Sequence, residues 1–258
     1  MQVGALQVLL EAGIQPDMVI GTSVGALNAA FFAADPTLAG LENAKEIWLQ
    51  VTQQAIYPGR NTTALWNLLR GKPSMYPNDG LLGWLMQHLP VERFRELSLP
   101  CYSVAVEVDS GEIIVFGDSE DDLLVDGLMS STALTPAHPP WVVGQQRFLD
   151  GGFGAVLPVS QAIERGATQI IALDLTIPFQ DSKKPKSAFD TLIRVSDGMS
   201  RRLTAIDIAY AQENAQFAKI DLISDANVPI SDFSYTAERI EAGRAIAAAA
   251  LQDGSLFD

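Results

Sequence analysis

The sequence predicts an α/β fold with a mostly parallel sheet. Short apolar runs, such as residues 18–20 and 169–175, alternate with longer segments whose apolar residues recur at helical spacing. The run at 169–175 is continuous, which is typical of a strand buried on both faces of a parallel sheet. The composition, 48% hydrophobic and 19% charged, can supply a sizeable core. Together these observations favour one large domain over the 258 residues rather than two small ones.

Four helices are predicted in the first part of the chain. They are marked by good helix formers or by apolar residues on one face, and they cover residues 3–13, 24–34, 38–54 and 81–89. Gly13 stands at the usual stop position of the first helix. The stretch 57–80 is rich in Pro, Gly and Asn, and it is predicted to be either a cap over a functional site or a plain surface connection.

The second part begins with a predicted β-hairpin. Residues 102–108 and 112–116 are apolar and are separated by the turn sequence Asp-Ser-Gly. The other predicted strands are 147–149, 169–175 and 220–223, and the other predicted helices are 123–131, 159–165, 187–217 and 236–251. The long helix is expected to cover the sheet with apolar residues at mostly helical spacing, namely Phe189, Leu192, Met199, Leu203, Ile206 and Tyr210.

The charge of the chain limits its partners. A formal net charge of -14 and a pI near 4.4 argue against nucleic acid, because phosphate binding needs clustered Lys and Arg. They also argue against electrostatic docking on anionic lipid, so a transient contact with a membrane surface would have to be apolar.

Cysteine usage and the N-terminus indicate the compartment. The single Cys101 cannot form an internal disulfide, and its apolar surroundings predict a core position. No apolar run reaches the ~18 uncharged residues needed to cross a bilayer. The first residues lack the basic region of a signal peptide, so a cytoplasmic location is expected.

Residues 21–25 join a predicted strand to a predicted helix and read Gly-Thr-Ser-Val-Gly. This is the pattern of a nucleophile elbow, in which a sharp turn exposes a serine hydroxyl at the start of a helix. Ser23 is therefore the candidate nucleophile, and the Val24 amide is expected to point into the oxyanion space. Positions 21 and 25 are expected to require a small residue, here Gly21 and Gly25, because the neighbouring backbone packs closely at both ends of the turn.

A serine hydroxyl needs a base, and the two histidines are poorly placed to supply one. The order nucleophile, acid, histidine of ordinary α/β-hydrolases requires a histidine late in the chain, but only His88 and His138 are present. His88 lies near a helix end and is expected to be structural. His138 lies in a Pro-rich turn that could approach a pocket, which leaves a His138-dependent esterase open as an alternative.

Asp150 is the better candidate for the base. It ends an apolar run and is followed by Gly151 and Gly152, which would allow other backbone or substrate to come close. An ordinary Asp with a pKa near ~4 is a weak base, so a desolvated site with a raised pKa is expected. The structural alternative is a turn residue that binds its own backbone.

Three blocks of the sequence resemble bacterial patatin-like phospholipases, which are lipid acyl hydrolases with a Ser-Asp dyad. The blocks are residues 2–13, the elbow with the following residues up to 30, and residues 130–140 leading into 150–152. The resemblance extends from Met1 to about Leu175. It implies a three-layer sandwich with a central sheet flanked by helices, with Ser23 as the nucleophile and Asp150 as the base. It also implies a lipid or other acyl-ester substrate and a mechanism that needs no metal or organic cofactor.

The sequence departs from this family at its N-terminus. The family begins with a strand and a Gly-rich loop whose amides form most of the oxyanion hole, and the sequence starts just beyond that loop. The expectation is therefore a single patatin-like domain over residues 1–258 with its first strand and oxyanion loop missing. The alternative function is a catalytically impaired relative that binds lipid or protein. In relatives a Phe is common where His138 stands.

Four large side chains are candidates for an acyl-binding surface, although aromatic and Met residues at such spacing are more often simple core. They are Trp66, Met75, Tyr76 and Trp84. The chemistry of the head group, the acyl-chain length and the oligomeric state do not follow from these residues.

Overall fold

The computed structural model describes residues 1–57, 74–175, 187–223, 232–252 and 256. Within these ranges the helices are α1 (Gln2–Glu11), α2 (Val24–Ala34), α3 (Leu38–Gln50), α4 (Gln53–Ile56), α5 (Asp79–His88), α6 (Leu124–Ser131), α7 (Val159–Glu164), α8 (Ala188–Asn214) and α9 (Thr236–Gln252). The strands are β1 (Val19–Thr22), β2 (Cys101–Glu107), β3 (Ile113–Phe116), β4 (Trp141–Val143), β5 (Gln146–Asp150), β6 (Gln169–Asp174) and β7 (Gln216–Asp221). The predicted α/β class is confirmed.

The described strands form a mixed five-stranded sheet and a parallel pair. The larger sheet has the order β1-β2-β5-β4, with β3 paired to β2 outside this path. Strands β1, β2 and β4 run in one direction, while β3 and β5 run in the other. Strands β6 and β7 pair in parallel. The predicted hairpin is confirmed as the antiparallel pair β2 and β3.

Helix α2 lies at the centre of the core. Eight of its eleven residues are buried, and its small side chains let it pack closely on strands and helices around it. Phe31 contacts Trp84 edge to face, and Trp84 also packs against Trp48. This burial fixes the first turn of α2 and therefore the residue before it, Ser23. Cys101 is buried in the same cluster, as predicted, and burial raises the pKa of its thiol to about 12.

A chain of polar contacts joins β6, α1, α2 and α3. The Gln2 side chain donates to the Leu173 carbonyl at 3.0 Å and accepts from Asn28 at 2.7 Å. Asn28 in turn accepts from the Trp48 indole at 2.8 Å. Because buried amides are costly without partners, this network explains a polar Asn28 within an otherwise apolar helix.

Two predicted helix boundaries are wrong, and one strand was missed. The predicted helix 38–54 ends at Gln50, and Thr52 caps a separate turn, α4, by accepting from the Ala55 amide. The predicted helix 187–217 ends at Asn214, because residues 216–221 pair with β6 and bury Ala218 and Ile220. Strand β4 was not predicted, because a three-residue strand has too short a pattern.

The apolar residues of α8 do not cover the sheet as expected. Leu192, Met199, Leu203, Ile206 and Tyr210 are exposed. The helix packs instead through a neighbouring face, on which Ala211 is fully buried and Ile208 contacts the cluster around β6. In the described part of the chain, no helix combines the length and the apolar character needed to cross a membrane.

Candidate active site

Ser23 occupies a strained turn between β1 and α2. Its backbone torsions are φ 56° and ψ -126°, and it is the one non-glycine residue with positive φ among those the structure describes. Such a conformation costs on the order of 1–3 kcal/mol and persists when the surrounding structure enforces it. The chain thus turns sharply from β1 into α2, with the hydroxyl-bearing residue immediately before a buried helix.

The two glycines of the turn, Gly21 and Gly25, differ in how much space is available for a side chain. A Cβ on Gly21 would lie 2.3 Å from the carbonyl carbon and oxygen of Gly25, so the backbone crosses too closely for any side chain. A Cβ on Gly25 would make only an ordinary contact, 3.6 Å from the Gln2 amide nitrogen. The expected close approach therefore holds for Gly21 and is absent at Gly25.

Substituting these glycines should have opposite effects on stability. Gly21→Ala should lower the free energy of unfolding by about 1–3 kcal/mol, because the added methyl overlaps backbone that cannot move away. Gly25→Ala should leave it equal or raise it by up to about 1 kcal/mol, because alanine favours the first turn of α2. Urea unfolding measures both, and equal destabilisation by the two substitutions would contradict the difference seen in the elbow.

The backbone of Ser23 is held by a residue that the sequence analysis did not identify. The Ser131 hydroxyl, at the end of α6, accepts a hydrogen bond from the Ser23 amide at 2.9 Å. Ser131 is fully buried, so this amide is satisfied away from water. A serine at the end of a helix carries no sequence signal for such a contact, since it depends on how α6 packs.

Asp150 reaches the level of Ser23 through the register of the sheet. In β2, Val104 pairs with Thr22 of β1, and the next residue, Ala105, pairs with Asp150 of β5. The end of β5 therefore lies level with the end of β1, two strands away. The Asp150 amide also donates to the Ala133 carbonyl at 3.1 Å, which ties the Asp150 backbone to the segment that follows Ser131.

The Asp150 carboxyl group is buried and its pKa is raised. Only 2% of the residue is exposed, and burial raises the pKa from 3.8 to about 6. The nearby Ser23 hydroxyl and the Gly152 amide, which donates to Oδ1 at 2.8 Å, act in the opposite direction. Oδ2 is buried and has no hydrogen-bond partner among the described residues. One carboxylate oxygen is thus anchored while the other is free to accept a proton.

The turn after Asp150 needs glycine at its first position. A Cβ on Gly151 would lie 2.3 Å from the Val104 carbonyl oxygen. At Gly152 an added Cβ would lie 3.1 Å from Asp150 Oδ1, which is tight but does not involve backbone. The expected close approach of backbone is therefore present at Gly151. The turn reading of Asp150 is also correct, because its carboxylate does accept from Gly152 in the same chain segment.

The start of α2 presents amides to the space beside Ser23. The Val24 amide belongs to the first turn, where backbone N–H groups have no acceptor within their own helix. These groups and the helix dipole favour negative charge at this end. Val24 is itself 39% exposed, so the start of the helix is accessible from solvent.

A cluster of rings lies near Asp150. The Tyr57 ring stacks on His138 with centroids 5.3 Å apart and contacts Tyr76 edge to face. Burial raises the pKa of Tyr57, and the Asp150 charge raises it further, which places the tyrosine within electrostatic reach of the carboxylate. His138 is buried, and burial lowers its pKa, so it stays neutral at pH 7.

The remaining candidate residues have different surroundings. His88 Nδ1 donates to the Trp84 carbonyl at 2.8 Å, one turn earlier in α5, which fits the structural role expected of it. Trp84 is buried in the core. The amides of Met75 and Tyr76 donate to the carbonyls of Pro136 and Ala137, which attaches this end of the possible cap loop to the turn that carries His138. Trp66 and most of that loop lie outside the described residues.

Comparison with known proteins identifies the family. Patatin-like phospholipase domain-containing protein 7 of Rattus norvegicus is 25% identical over 176 residues, and the corresponding protein 6 of Homo sapiens is 24% identical over 175. Both alignments cover 67% of this chain. Lysophospholipase NTE1 of Debaryomyces hansenii is 23% identical over 197 residues, or 74% of the chain. The matched part is 12% of the length of each of these three proteins.

The family match covers the whole site described above. The family model described as patatin-like phospholipase matches residues 1–163, which include the elbow, the Ser131 contact and the Asp-Gly-Gly turn. This range is more than half of the 258 residues. The chain belongs to the patatin-like phospholipase family.

Proposed function

We propose that this chain hydrolyses the acyl esters of lipids through a Ser23-Asp150 dyad and an acyl-enzyme. The observation that carries the proposal is the pairing of a strained serine at a helix start with a buried carboxylate of raised pKa in register with it. A pKa of about 6 leaves Asp150 ionised at pH 7 yet more basic than an ordinary carboxylate, as a general base requires.

Acylation begins at the Ser23 hydroxyl. The oxygen attacks the ester carbonyl while Asp150 takes the hydroxyl proton, and the negative charge that develops on the carbonyl oxygen is stabilised by the Val24 amide. When the tetrahedral intermediate collapses, Asp150 returns the proton to the departing alcohol. The fatty acyl group is then esterified to Ser23.

Deacylation repeats the same steps with water. Asp150 takes a proton from water, the resulting hydroxide attacks the acyl carbonyl, and collapse of the second intermediate restores the Ser23 hydroxyl and releases the fatty acid. Acylation and deacylation therefore use the same base, which lies on the same side of the ester carbonyl in both. The anchored Oδ1 and the unpartnered Oδ2 of Asp150 suit this role, because the carboxylate keeps its orientation while it exchanges a proton.

The test is labelling of Ser23 by an activity-based probe. A fluorophosphonate should label the purified chain with one adduct, and tandem mass spectrometry should place it on Ser23. p-Nitrophenyl butyrate and a lysophosphatidylcholine should both be hydrolysed, the first with a burst equal to the labelled fraction. Ser160, which donates to Asp207 away from the elbow, offers an internal control that should remain unlabelled.

The alternative, a catalytically impaired relative that binds lipid or protein, predicts the opposite result. It would leave Ser23 unlabelled and both esters intact in a folded protein. Labelling without turnover would show a competent nucleophile with an incomplete oxyanion site, and it would contradict the proposed complete cycle.

A further inference from the structure

A continuous apolar stripe is exposed on helix α8. It consists of Leu192, Val195, Met199, Leu203, Ile206 and Tyr210, which are between 37% and 64% exposed. At 1.5 Å per residue the stripe is about 27 Å long. Exposed apolar side chains are common singly, but a contiguous row of six on one helix marks an interaction surface.

The stripe lies on the helix that supports the Asp150 turn. In the middle of α8, the Ser200 hydroxyl donates to the Gly152 carbonyl at 3.1 Å, and Asp207 accepts from Ser160 of α7 at 2.7 Å. Met199 adjoins Ser200 in the sequence. Other exposed apolar side chains directly follow residues of the site, namely Val24 after Ser23, Leu134 after Ala133, and Phe153 after Gly152.

The spacing of the stripe fits a flat partner. Its members are 3, 4, 4, 3 and 4 residues apart, an average of 3.6, so the row runs straight along an unsupercoiled helix. A coiled-coil partner needs a repeat of 3.5, and the heptad register that contains Leu192, Met199, Leu203, Ile206 and Tyr210 replaces Val195 by the polar Ser196 in the seam.

The charges of α8 indicate which flat surface fits. The helix carries three Arg, no Lys and four acidic residues, and the whole chain has a net charge of -14. Anionic membranes attract helices with a basic excess on the polar face, which α8 lacks. An apolar stripe between balanced charges fits a lipid surface without net charge.

We propose that the α8 stripe seats the protein on the surface of a zwitterionic phospholipid bilayer, beside the mouth of the Ser23-Asp150 site. This rests on the proposed function for the nature of the substrate, but the surface itself is argued from exposure, spacing and charge. Seated in this way, the protein takes an acyl chain from the bilayer at the place where its ester is cleaved.

The experiment compares two double variants of α8 in a Ser23→Ala background, so that binding is measured without hydrolysis. Met199→Glu with Ile206→Glu places two charges in the stripe. Ala205→Glu with Gln212→Glu places the same two charges, at the same spacing of seven residues, on exposed positions outside it. Flotation with phosphatidylcholine vesicles should show at least about a tenfold loss of bound protein for the first pair and a change within about twofold for the second.

Several results would overturn the proposal. These are unchanged vesicle binding by the stripe variant, an equal loss in the control variant, binding that appears only when phosphatidylglycerol is added, and a dimer that forms without lipid and that the stripe substitutions dissociate.

Circular dichroism checks folding, and Met199→Ser with Ile206→Ser replaces the charged pair if that pair loses its helix. In the active background, the stripe variant should still hydrolyse dissolved p-nitrophenyl butyrate like the wild type. Failure of that reaction in the wild type would contradict the proposed function and leave the flotation result to stand separately.

Discussion

Ser23→Ala should lower kcat/KM for p-nitrophenyl butyrate by at least about a thousandfold. Loss of a serine nucleophile removes covalent catalysis and leaves only the contribution of binding and of the oxyanion donors. The fold should survive, because the Ser23 amide keeps its bond to Ser131 in the variant. Steady-state kinetics and urea unfolding on the same preparation measure both effects.

Ser23→Gly is the matched control for this substitution. It should be as inactive as Ser23→Ala, yet more stable by on the order of 1 kcal/mol, because glycine adopts the positive φ of this position without strain. Wild-type activity in either variant would show that another residue is the nucleophile. Equal stability of the two variants would show that the turn is not strained.

Asp150→Asn should remove activity and add stability at the same time. General-base catalysis contributes about a hundred- to ten-thousandfold, and asparagine cannot take the Ser23 proton. The Asn side-chain oxygen can still accept from the Gly152 amide, as Oδ1 does at 2.8 Å. The variant is also free of the buried negative charge, whose cost is reflected in the rise of the pKa from 3.8 to about 6.

The stability gain should depend on pH in a defined direction. The folded protein binds the Asp150 proton more tightly than the unfolded chain, so this group stabilises the fold below pH 4, and that stability is lost as the pH rises through about 6. The difference in the free energy of unfolding between Asp150→Asn and the wild type should therefore be smallest below pH 4 and reach on the order of 3 kcal/mol above pH 7. Urea unfolding at several pH values measures the gap. A gap that shrinks with rising pH would contradict a buried carboxylate of raised pKa.

The same ionisation should appear in the kinetics. In the wild type, kcat/KM should rise with pH and level off above an apparent pKa of about 6, because only the ionised Asp150 can accept the serine proton. His138→Gln is the control, since an imidazole could produce a similar curve. If that variant loses all turnover, the base is His138 and the His138-dependent esterase is the better reading. If the variant keeps the rise of kcat/KM between acidic and neutral pH, that rise reports the ionisation of Asp150.

The sequence by itself determined the local features of this protein. The order of apolar runs and helices predicted the α/β class, and the sequence from Gly21 to Gly25 predicted the elbow, because a sharp strand-to-helix turn allows few residue types. Asp150 could be chosen because the chain has only two histidines, neither of them late in the sequence, and because the two following glycines mark a tight turn. These signals depend on neighbours in the chain, so they can be read without the fold.

The tertiary structure alone decided what brings these features together. Asp150 is level with Ser23 because β5 runs antiparallel beside β2 in one particular register, and no local pattern specifies that pairing. The contact between Ser131 and the Ser23 amide likewise depends on the packing of α6. On α8, the apolar periodicity predicted a face that covers the sheet, whereas Ala211 and Ile208 on a neighbouring face make the contact with the cluster around β6 and the side chains of the stripe remain exposed. Periodicity identifies an apolar face, but only packing decides whether that face meets the core or a partner.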